Sequence, residues 1–240
     1  MLKVMKFGGK SVRDRDGLVI AASIIERAYK SGDKVIAVLS AAGDTTDRLI
    51  EKAGNVAASP DKRELDALLS TGEQANAALL AMLLIDHGIP AVSLTGAQAG
   101  IVTDGNFGDA DILRVDKARL TRELYAGRVV IVAGFQGVTG NGDVTTLGRG
   151  GSDTTAVRLA SELRADGCIL YKDVDGVFTG DPKSDRTARL YNRISYDEML
   201  DLIDGGAKVL QRKSVETAKK YGTVIWVKPV TGDGDGTVIR

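Results

Sequence analysis

The sequence predicts an α/β fold in which a mainly parallel β-sheet carries helices on both faces. Short β-branched or apolar runs alternate with longer segments of helical period, which is the pattern of such a sheet. The 29 glycines cluster where the predicted strands end, at the natural ligand-binding loops of open α/β sheets. At 240 residues and 43% hydrophobic content, the chain is long enough to enclose one core. We therefore expect a single domain.

The predicted strands are short apolar runs that come at intervals along the whole chain. They cover residues 4–7, 35–39, 91–94, 129–133, 169–171 and 224–227. Between residues 136 and 145 an Asn-Gly pair lies between β-prone flanks, which predicts a β-hairpin.

The predicted helices carry apolar residues at helical spacing, in residues 18–28 and 65–84. We expect the helix that follows the first strand to be capped near Ser11. A third helix, running through Ala156 and Leu163, is expected to be capped by Ser152 or Asp153. His87 precedes a Gly-Ile-Pro segment, so we interpret it as a contact at a helix C-terminus.

Composition excludes several classes of partner. The 32 Lys and Arg balance the 32 Asp and Glu, so the chain as a whole has no net attraction for nucleic acid or anionic lipid. The single cysteine, Cys168, forms no internal disulfide and is expected to be buried in a strand. Neither a signal peptide nor a run of about 20 apolar residues is evident. We expect a cytoplasmic protein.

Lys6-Phe7-Gly8-Gly9 follows the first predicted strand and brings an ammonium group close to backbone N–H groups. Such an arrangement suits an anion. The spacing is not that of a Walker loop, and taken alone the motif favours a simple tight turn.

Residues 146–156, Thr-Leu-Gly-Arg-Gly-Gly-Ser-Asp-Thr-Thr-Ala, form a glycine-rich turn that runs into a helix. The alternative interpretation is a capped helix after a loop. That alternative does not account for Arg149 among the glycines, where its planar guanidinium could bind a carboxylate through two hydrogen bonds.

Residues 171–182 end a strand with Asp173 and Asp175, followed by a glycine turn and an Asp-Pro pair. These acids could serve a ribose, position lysines or assist Mg²⁺. A plain acidic surface turn remains an alternative.

Together with residues 38–49, 68–74, 103–110 and 206–210, these motifs resemble the catalytic domains of aspartate kinases, in the amino acid kinase family, over essentially the whole chain. The resemblance implies a three-layer αβα sandwich with an open sheet of about eight strands. It also implies ATP-dependent phosphorylation of the side-chain carboxylate of L-aspartate, the first step toward lysine, threonine and methionine. Residues 1–134 would bind the amino acid and residues 135–240 the nucleotide.

The resemblance further implies a role for each matching residue. Lys6 and Lys208 would hold the transferring phosphoryl group while Asp153 orients both ammonium groups. Arg149 and Glu73 would bind the α-carboxylate and α-amine of the substrate. The remaining substrate-binding residues would be Ser40, Thr45, Phe107 and Ser152. The nucleotide site would be lined by Lys6, Gly8, Gly9, Tyr171, Lys172, Asp173, Asp175, Val177, Asp181, Lys183 and Lys208. Mg²⁺ would be held mainly by the ATP phosphates, and a homodimer is compatible with the family.

Several positions depart from the family pattern. Lys10 and Lys172 stand where small hydroxyl residues are usual, and Arg212 falls where the family has a His-Pro pair. The chain also stops at Arg240, where aspartate kinases continue into regulatory domains, so we expect no inhibition by lysine or threonine. Two alternatives stay open: a kinase for another carboxylate, such as glutamate or an acylated amino acid, and a non-catalytic binding protein with the same fold.

Overall fold

The computed structural model describes residues 1–182, 185–231 and 234–240. In this part of the chain twelve strands and seven α-helices form. The strands are β1 (Leu2–Phe7), β2 (Lys34–Leu39), β3 (Ala91–Leu94), β4 (Ile101–Thr103), β5 (Ile112–Val115), β6 (Val129–Ala133), β7 (Gln136–Val138), β8 (Val144–Thr146), β9 (Gly167–Lys172), β10 (Arg193–Ile194), β11 (Ile225–Pro229) and β12 (Thr237–Ile239). The helices are α1 (Arg15–Lys30), α2 (Thr45–Val56), α3 (Lys62–Asp86), α4 (Ala118–Tyr125), α5 (Gly151–Leu163), α6 (Tyr196–Asp204) and α7 (Arg212–Tyr221).

Eight strands form one sheet in the order β10-β12-β11-β9-β1-β2-β6-β3. Neighbouring strands run parallel except for β11 and β12, which are antiparallel. Helices α1 and α3 pack against one face, and helices α4 to α7 contribute to the core on the other. The predicted three-layer sandwich is therefore confirmed, and each of the six predicted strands is present.

The central strands explain why the sheet needs helices on both sides. Every residue of β6 is buried, and so is every residue of β2 after Lys34. On β1 the side chains alternate: Val4 joins the core beneath α5, whereas Met5 and Phe7 join the core beneath α1 and α3. Lys6 therefore lies on the α5 face at the carboxyl end of β1. The neighbouring parallel strands end at the same edge, which gathers their loops there.

A second sheet, in the order β5-β4-β7-β8, lies beyond the end of β6. Its β7–β8 hairpin was predicted from the Asn-Gly pair. Strands β4 and β5 were not predicted, because each has only three or four residues and β5 leaves most of its side chains at least partly exposed. Asp66 of α3 connects this helix to the second sheet. Its carboxylate accepts hydrogen bonds from the N–H and hydroxyl of Thr146, each at 2.7 Å, and from the N–H of Gly108 at 2.9 Å.

Two predicted helix caps are wrong. Ser11 lies in a short 3₁₀ turn, and α1 is instead capped by Asp14, whose carboxylate accepts a backbone N–H at 3.0 Å. Helix α5 begins after Gly150 in the left-handed conformation, with φ of 74°, so Ser152 and Asp153 lie within its first turn. The carboxylate of Asp153 does not cap the helix because it binds two lysines, as described below.

Helix α3 is long and apolar enough to cross a membrane by length and composition alone. Half of that apolar window is buried inside the protein, and Leu80 and Leu84 pack fully beneath the sheet. This is the arrangement of a core helix. His87 follows the last helical residue and is its C-cap, at the helix end where we predicted it.

Substitution of Gly167 tests the contact between β9 and β11. A Cβ atom at this position would lie 1.6 Å from Cζ3 of Trp226, so we expect Gly167→Ala to lower the free energy of unfolding by about 2 kcal/mol. Urea denaturation measures the change. Gly54→Ala in α2 meets open space and is the matched control, expected to raise stability by about 1 kcal/mol. Equal effects of the two substitutions would contradict the packing described here.

Candidate active site

A cavity of about 420 Å³ opens at the carboxyl ends of β1, β2 and β6. Its wall includes the glycine-rich loop before α5 and one residue from the middle of α3. The predicted site residues that line it are Lys6, Gly9, Ser40, Glu73, Arg149 and Ser152. The fold therefore brings together residues from four separate segments of the sequence.

A buried charge cluster extends from the floor of this cavity. Asp153, in the first turn of α5, has Oδ1 at 2.7 Å from Nζ of Lys6, and its Oδ2 accepts a hydrogen bond from Nζ of Lys172 at 2.6 Å. The side chains of Lys6, Lys172 and Asp153 are 7%, 16% and 4% exposed. Lys6 lies opposite Leu170 in the register of β1 and β9, so Lys172, two residues further on, projects from the same face.

The structure does not bring Lys208, the second lysine predicted to pair with Asp153, to this cluster. Lys208 is exposed in the turn between α6 and α7 and has no ion pair with any residue that the structure describes. Lys172, one of the departures from the family pattern, holds the second carboxylate oxygen instead. The physical reason is position: Lys172 ends a strand next to β1, whereas Lys208 is carried on an exposed turn.

The electrostatics of the cluster follow from burial and from the mutual attraction of its charges. Burial alone would raise the pKa of Asp153, but the two ammonium groups outweigh it and lower that pKa to about 2. Burial lowers the pKa of Lys6, and Lys172 adds to this effect while Asp153 opposes it. One carboxylate between two lysines leaves an excess of positive charge in a desolvated place, which favours binding of an anion.

Glu73 is a buried acid on the cavity wall whose pKa, unlike that of Asp153, is raised. Its carboxylate is 3% exposed, Oε1 accepts the N–H of Ala41 at 3.1 Å, and Oε2 is buried without a hydrogen-bond partner in the described ranges. Burial raises the pKa of Glu73 to about 7, against the smaller opposing effect of the Ala41 N–H. A cationic donor such as an amine would satisfy Oε2 and stabilise the ionised form.

Two glycines in the left-handed region flank Arg149. Gly148 has φ of 70° and Gly150 has φ of 74°, and a Cβ at either position would collide with Asp109 or Gln211. The loop thus requires glycine on both sides of the arginine. Arg149 itself is exposed at the cavity wall and has no ion pair in the part of the chain that is described, so its guanidinium is available to a carboxylate.

Some predicted substrate-binding residues lie outside the cavity. Thr45 begins α2 and its hydroxyl donates to the carbonyl of Ala42 at 2.6 Å, while its neighbour Thr46 lines the cavity instead. Phe107 is half-buried in the loop between β4 and β5 and is not part of the wall. Gly8 lies close to the Lys6 ammonium, which would be 3.5 Å from a Cβ at that position.

The residues predicted to line a nucleotide site are dispersed. Asp173, Asp175 and Asp181 are exposed in the segment after β9, where Asp173 pairs with Lys10 at 3.3 Å. Val177 is buried in the core and its N–H donates to the hydroxyl of Thr237. Lys183 lies outside the described residues.

Tyr171 projects from the face of the sheet opposite to the charge cluster. Its ring stacks on Phe7 with centroids 4.9 Å apart, and it lines a larger groove of about 660 Å³ between α1 and strands β9 and β11. The structure does not bring the Tyr171 side chain to the cavity that holds Lys6, because adjacent residues of a strand point to opposite faces.

The residues of the cavity wall that were not predicted as site residues include Thr46 and Phe135. Phe135 has φ of 67°, a left-handed conformation that costs a residue with a side chain about 1–2 kcal/mol. Its backbone is held by hydrogen bonds to Thr155 and Leu147. The available signal was its place two residues after the end of β6, where open α/β sheets bind ligands.

Comparison with known proteins agrees with this geometry. The amino acid kinase family matches residues 1–229. The aspartokinase of Bacillus sp. (strain MGA3) is 48% identical over 239 residues, covering 100% of this chain and 58% of the relative. The chain thus spans little more than half the length of such relatives.

Solved structures show the same relationship. The aspartate kinase from Synechocystis superposes with a TM-score of 0.89 at 44% identity, covering 100% of this chain and 39% of that one. Aspartokinase III of E. coli, in complex with aspartate and ADP, gives a TM-score of 0.88 at 25% identity, covering 100% and 64%.

The raised pKa of Glu73 makes stability depend on pH. Between its ordinary value of 4.5 and about 7, the folded protein holds a proton that the unfolded chain has lost, so stability falls as pH rises through this window. At pH 8.5 we expect the free energy of unfolding of Glu73→Gln to exceed that of the parent by about 3 kcal/mol. The difference should shrink toward zero at pH 4.5.

Urea denaturation at the two pH values measures this difference. Glu51→Gln, at an exposed position of α2, is the control and should change stability little at either pH. A Glu73→Gln effect that is the same at both pH values would show that the carboxyl group is not protonated by burial.

Proposed function

Because the chain belongs to the amino acid kinase family, we propose that it transfers the γ-phosphoryl group of ATP to the side-chain carboxylate of L-aspartate. The products are 4-phospho-L-aspartate and ADP. The observation that carries this proposal is that one cavity presents a buried cation, Lys6, together with Glu73 and Arg149. The similarity of the chain to aspartokinases, one of them solved with aspartate and ADP, supports the same reaction.

The acceptor is positioned by two complementary charges. The Oε2 of Glu73 binds the α-amine, and the guanidinium of Arg149 binds the α-carboxylate through two hydrogen bonds. With both ends held, the side-chain carboxylate is directed toward Lys6. Positioning is the main requirement, since holding two reactants together removes much of the entropic barrier of a bimolecular step.

The chemistry needs no general base. A carboxylate is ionised at neutral pH, and one of its oxygens forms the new bond to the γ-phosphorus while the bond from that phosphorus to the bridging oxygen of ADP breaks. Negative charge spreads over the phosphoryl oxygens during the transfer. Lys6 stabilises this charge from within a buried site, where an ammonium group has a stronger effect than in water.

Mg²⁺ enters this scheme as part of the ATP substrate and neutralises phosphate charge. Its ligands would be mainly the phosphate oxygens; within the described ranges no three metal-ligating side chains cluster together. Asp173 and Asp175, exposed after β9, offer oxygen ligands of the kind that Mg²⁺ prefers.

The division of labour within the fold is also part of the proposal. Residues 1–134 supply β1, β2, β3 and β6 and would bind the amino acid together with Arg149, while residues 135–240 supply β9 to β12 and would bind the nucleotide together with Lys6. We place the reaction in the cytoplasm, where ATP is available. A related kinase for glutamate or an acylated amino acid is the alternative, and Glu73 favours an acceptor with an unmodified amine.

Acyl-phosphate formation tests the substrate. The purified chain is incubated with ATP, Mg²⁺ and either aspartate, glutamate or N-acetylglutamate, and hydroxylamine traps the product as a hydroxamate. We expect hydroxamate with aspartate and much less with the other two, because N-acetylation removes the amine that Glu73 binds. Absence of hydroxamate with all three would reject the kinase assignment.

Lys6→Met tests the role of the buried ammonium. Removing one preorganised cation from the transferring group should lower kcat about 100-fold or more. Lys3→Met is the matched control, because Lys3 lies on the same strand with its side chain on the opposite face, paired with Asp33. Its kcat should stay within about threefold of the parent. A Lys6→Met enzyme as active as this control would refute the assignment.

A further inference from the structure

We propose that Lys172 is a second phosphate-binding cation of this site and contacts the γ-phosphate of ATP beside Lys6. The inference rests on the proposed use of ATP. It concerns a residue that departs from the family pattern, where a small hydroxyl residue is usual. The ligand of Lys172 would be a nucleoside triphosphate, whose terminal phosphate carries negative charge that ADP lacks.

Strand register places the two ammonium groups side by side. Lys6 and Lys172 project from the same face of neighbouring parallel strands and contact the two oxygens of one carboxylate, at 2.7 and 2.6 Å. The carboxylate of Asp153 therefore lies between the Nζ atoms of Lys6 and Lys172. That spacing suits an anion with several oxygens, which can contact both groups at once.

The hydrogen bonds of the cluster leave donors unused. An ammonium group has three N–H donors, and Asp153 is the acceptor that the Lys172 ammonium contacts in the described part of the chain. The side chain of Lys172 is 16% exposed, so it is not sealed from solvent as a fully enclosed residue would be. Lys6, on the cavity wall, is in the same situation with one contact to Asp153.

Charge gives the same conclusion. The buried Lys6 and the partly buried Lys172 share one carboxylate, and the nearest acid in sequence, Asp173, is exposed and pairs with Lys10. The cluster therefore keeps one positive charge that Asp153 does not balance. The lowered pKa of Lys6, caused by burial and increased by Lys172, is consistent with this excess. A γ-phosphate carries the charge that would compensate it.

A purely structural role for Lys172 predicts a different result. If Lys172 only fixed the carboxylate of Asp153, its loss would disturb the site for every nucleotide alike. If it contacts the terminal phosphate, its loss should weaken ATP binding far more than ADP binding. The ratio of the two affinities therefore separates the two roles.

The experiment measures the Kd of ATP and of ADP, each with Mg²⁺, by titration calorimetry. We expect the parent to prefer ATP and Lys172→Met to lose about tenfold or more in ATP affinity, as for the loss of one charge-assisted hydrogen bond, with ADP affinity changed less than about threefold. Lys172→Arg keeps the cation and should retain most of the preference.

Lys228→Met is the matched control. Lys228 lies on the adjacent strand opposite Tyr171, on the other face of the sheet, so its substitution changes net charge equally without touching the cluster. It should leave both affinities at the parent values. If Lys172→Met fails to fold, Lys172→Gln removes the charge while keeping a hydrogen-bond donor for Asp153.

Several outcomes would overturn the inference. They are a parent without ATP preference, a parallel loss of ATP and ADP affinity in Lys172→Met, and the same loss in Lys228→Met. No amino acid is present, so the result does not depend on the acceptor. A chain that makes no hydroxamate from aspartate yet loses ATP preference in Lys172→Met would reject the proposed acceptor and support the role of Lys172.

Discussion

The buried carboxylate of Asp153 is the constraint on which the rest of the site depends. A buried charge must be paired, and here one aspartate binds a lysine from β1 and a lysine from β9. These contacts fix the start of α5 against two strands at the carboxyl edge of the sheet. Removing Asp153 would leave two ammonium groups without their carboxylate, and breaking a buried pair in this way typically costs about 3–5 kcal/mol. The group that orients the lysines therefore also holds the glycine-rich loop in place.

The two ends of the site carry complementary charge imbalances. At one end Lys6 and Lys172 exceed Asp153 by one positive charge. At the other, Glu73 is buried beside Ala41, and one of its oxygens has no hydrogen-bond partner among the described residues. Each imbalance lowers the stability of the protein without ligand, since each keeps a charge or a polar atom desolvated. A phosphate anion would compensate one and an amine the other. Stability given up in this way is typical of binding sites.

The sequence was sufficient for the framework and insufficient for the contacts. Fully buried strands such as β6 stand out as apolar runs, and the Asn-Gly pair identified the β7–β8 hairpin. The contact between Asp153 and Lys172 was not predicted, because a strand register that places Lys172 beside Lys6 appears only in three dimensions. The cap at Ser11 failed for a related reason, since a 3₁₀ turn delays α1 until Asp14. Local pattern does not reveal such competition between neighbouring turns.

The residues that depart from the family pattern share a physical property. Lys172 pairs with Asp153, Lys10 pairs with Asp173, and Arg212 forms ion pairs with Asp204 and with Glu216, the latter at 2.9 Å. Each added cation therefore meets an acid, which explains why the fold accommodates all three. The exposed pairs contribute little to stability and yield to a competing anion. The pair at Lys172 is largely buried, where charges interact more strongly than at the surface. Of the three departures, it is the one whose charge acts directly on the site.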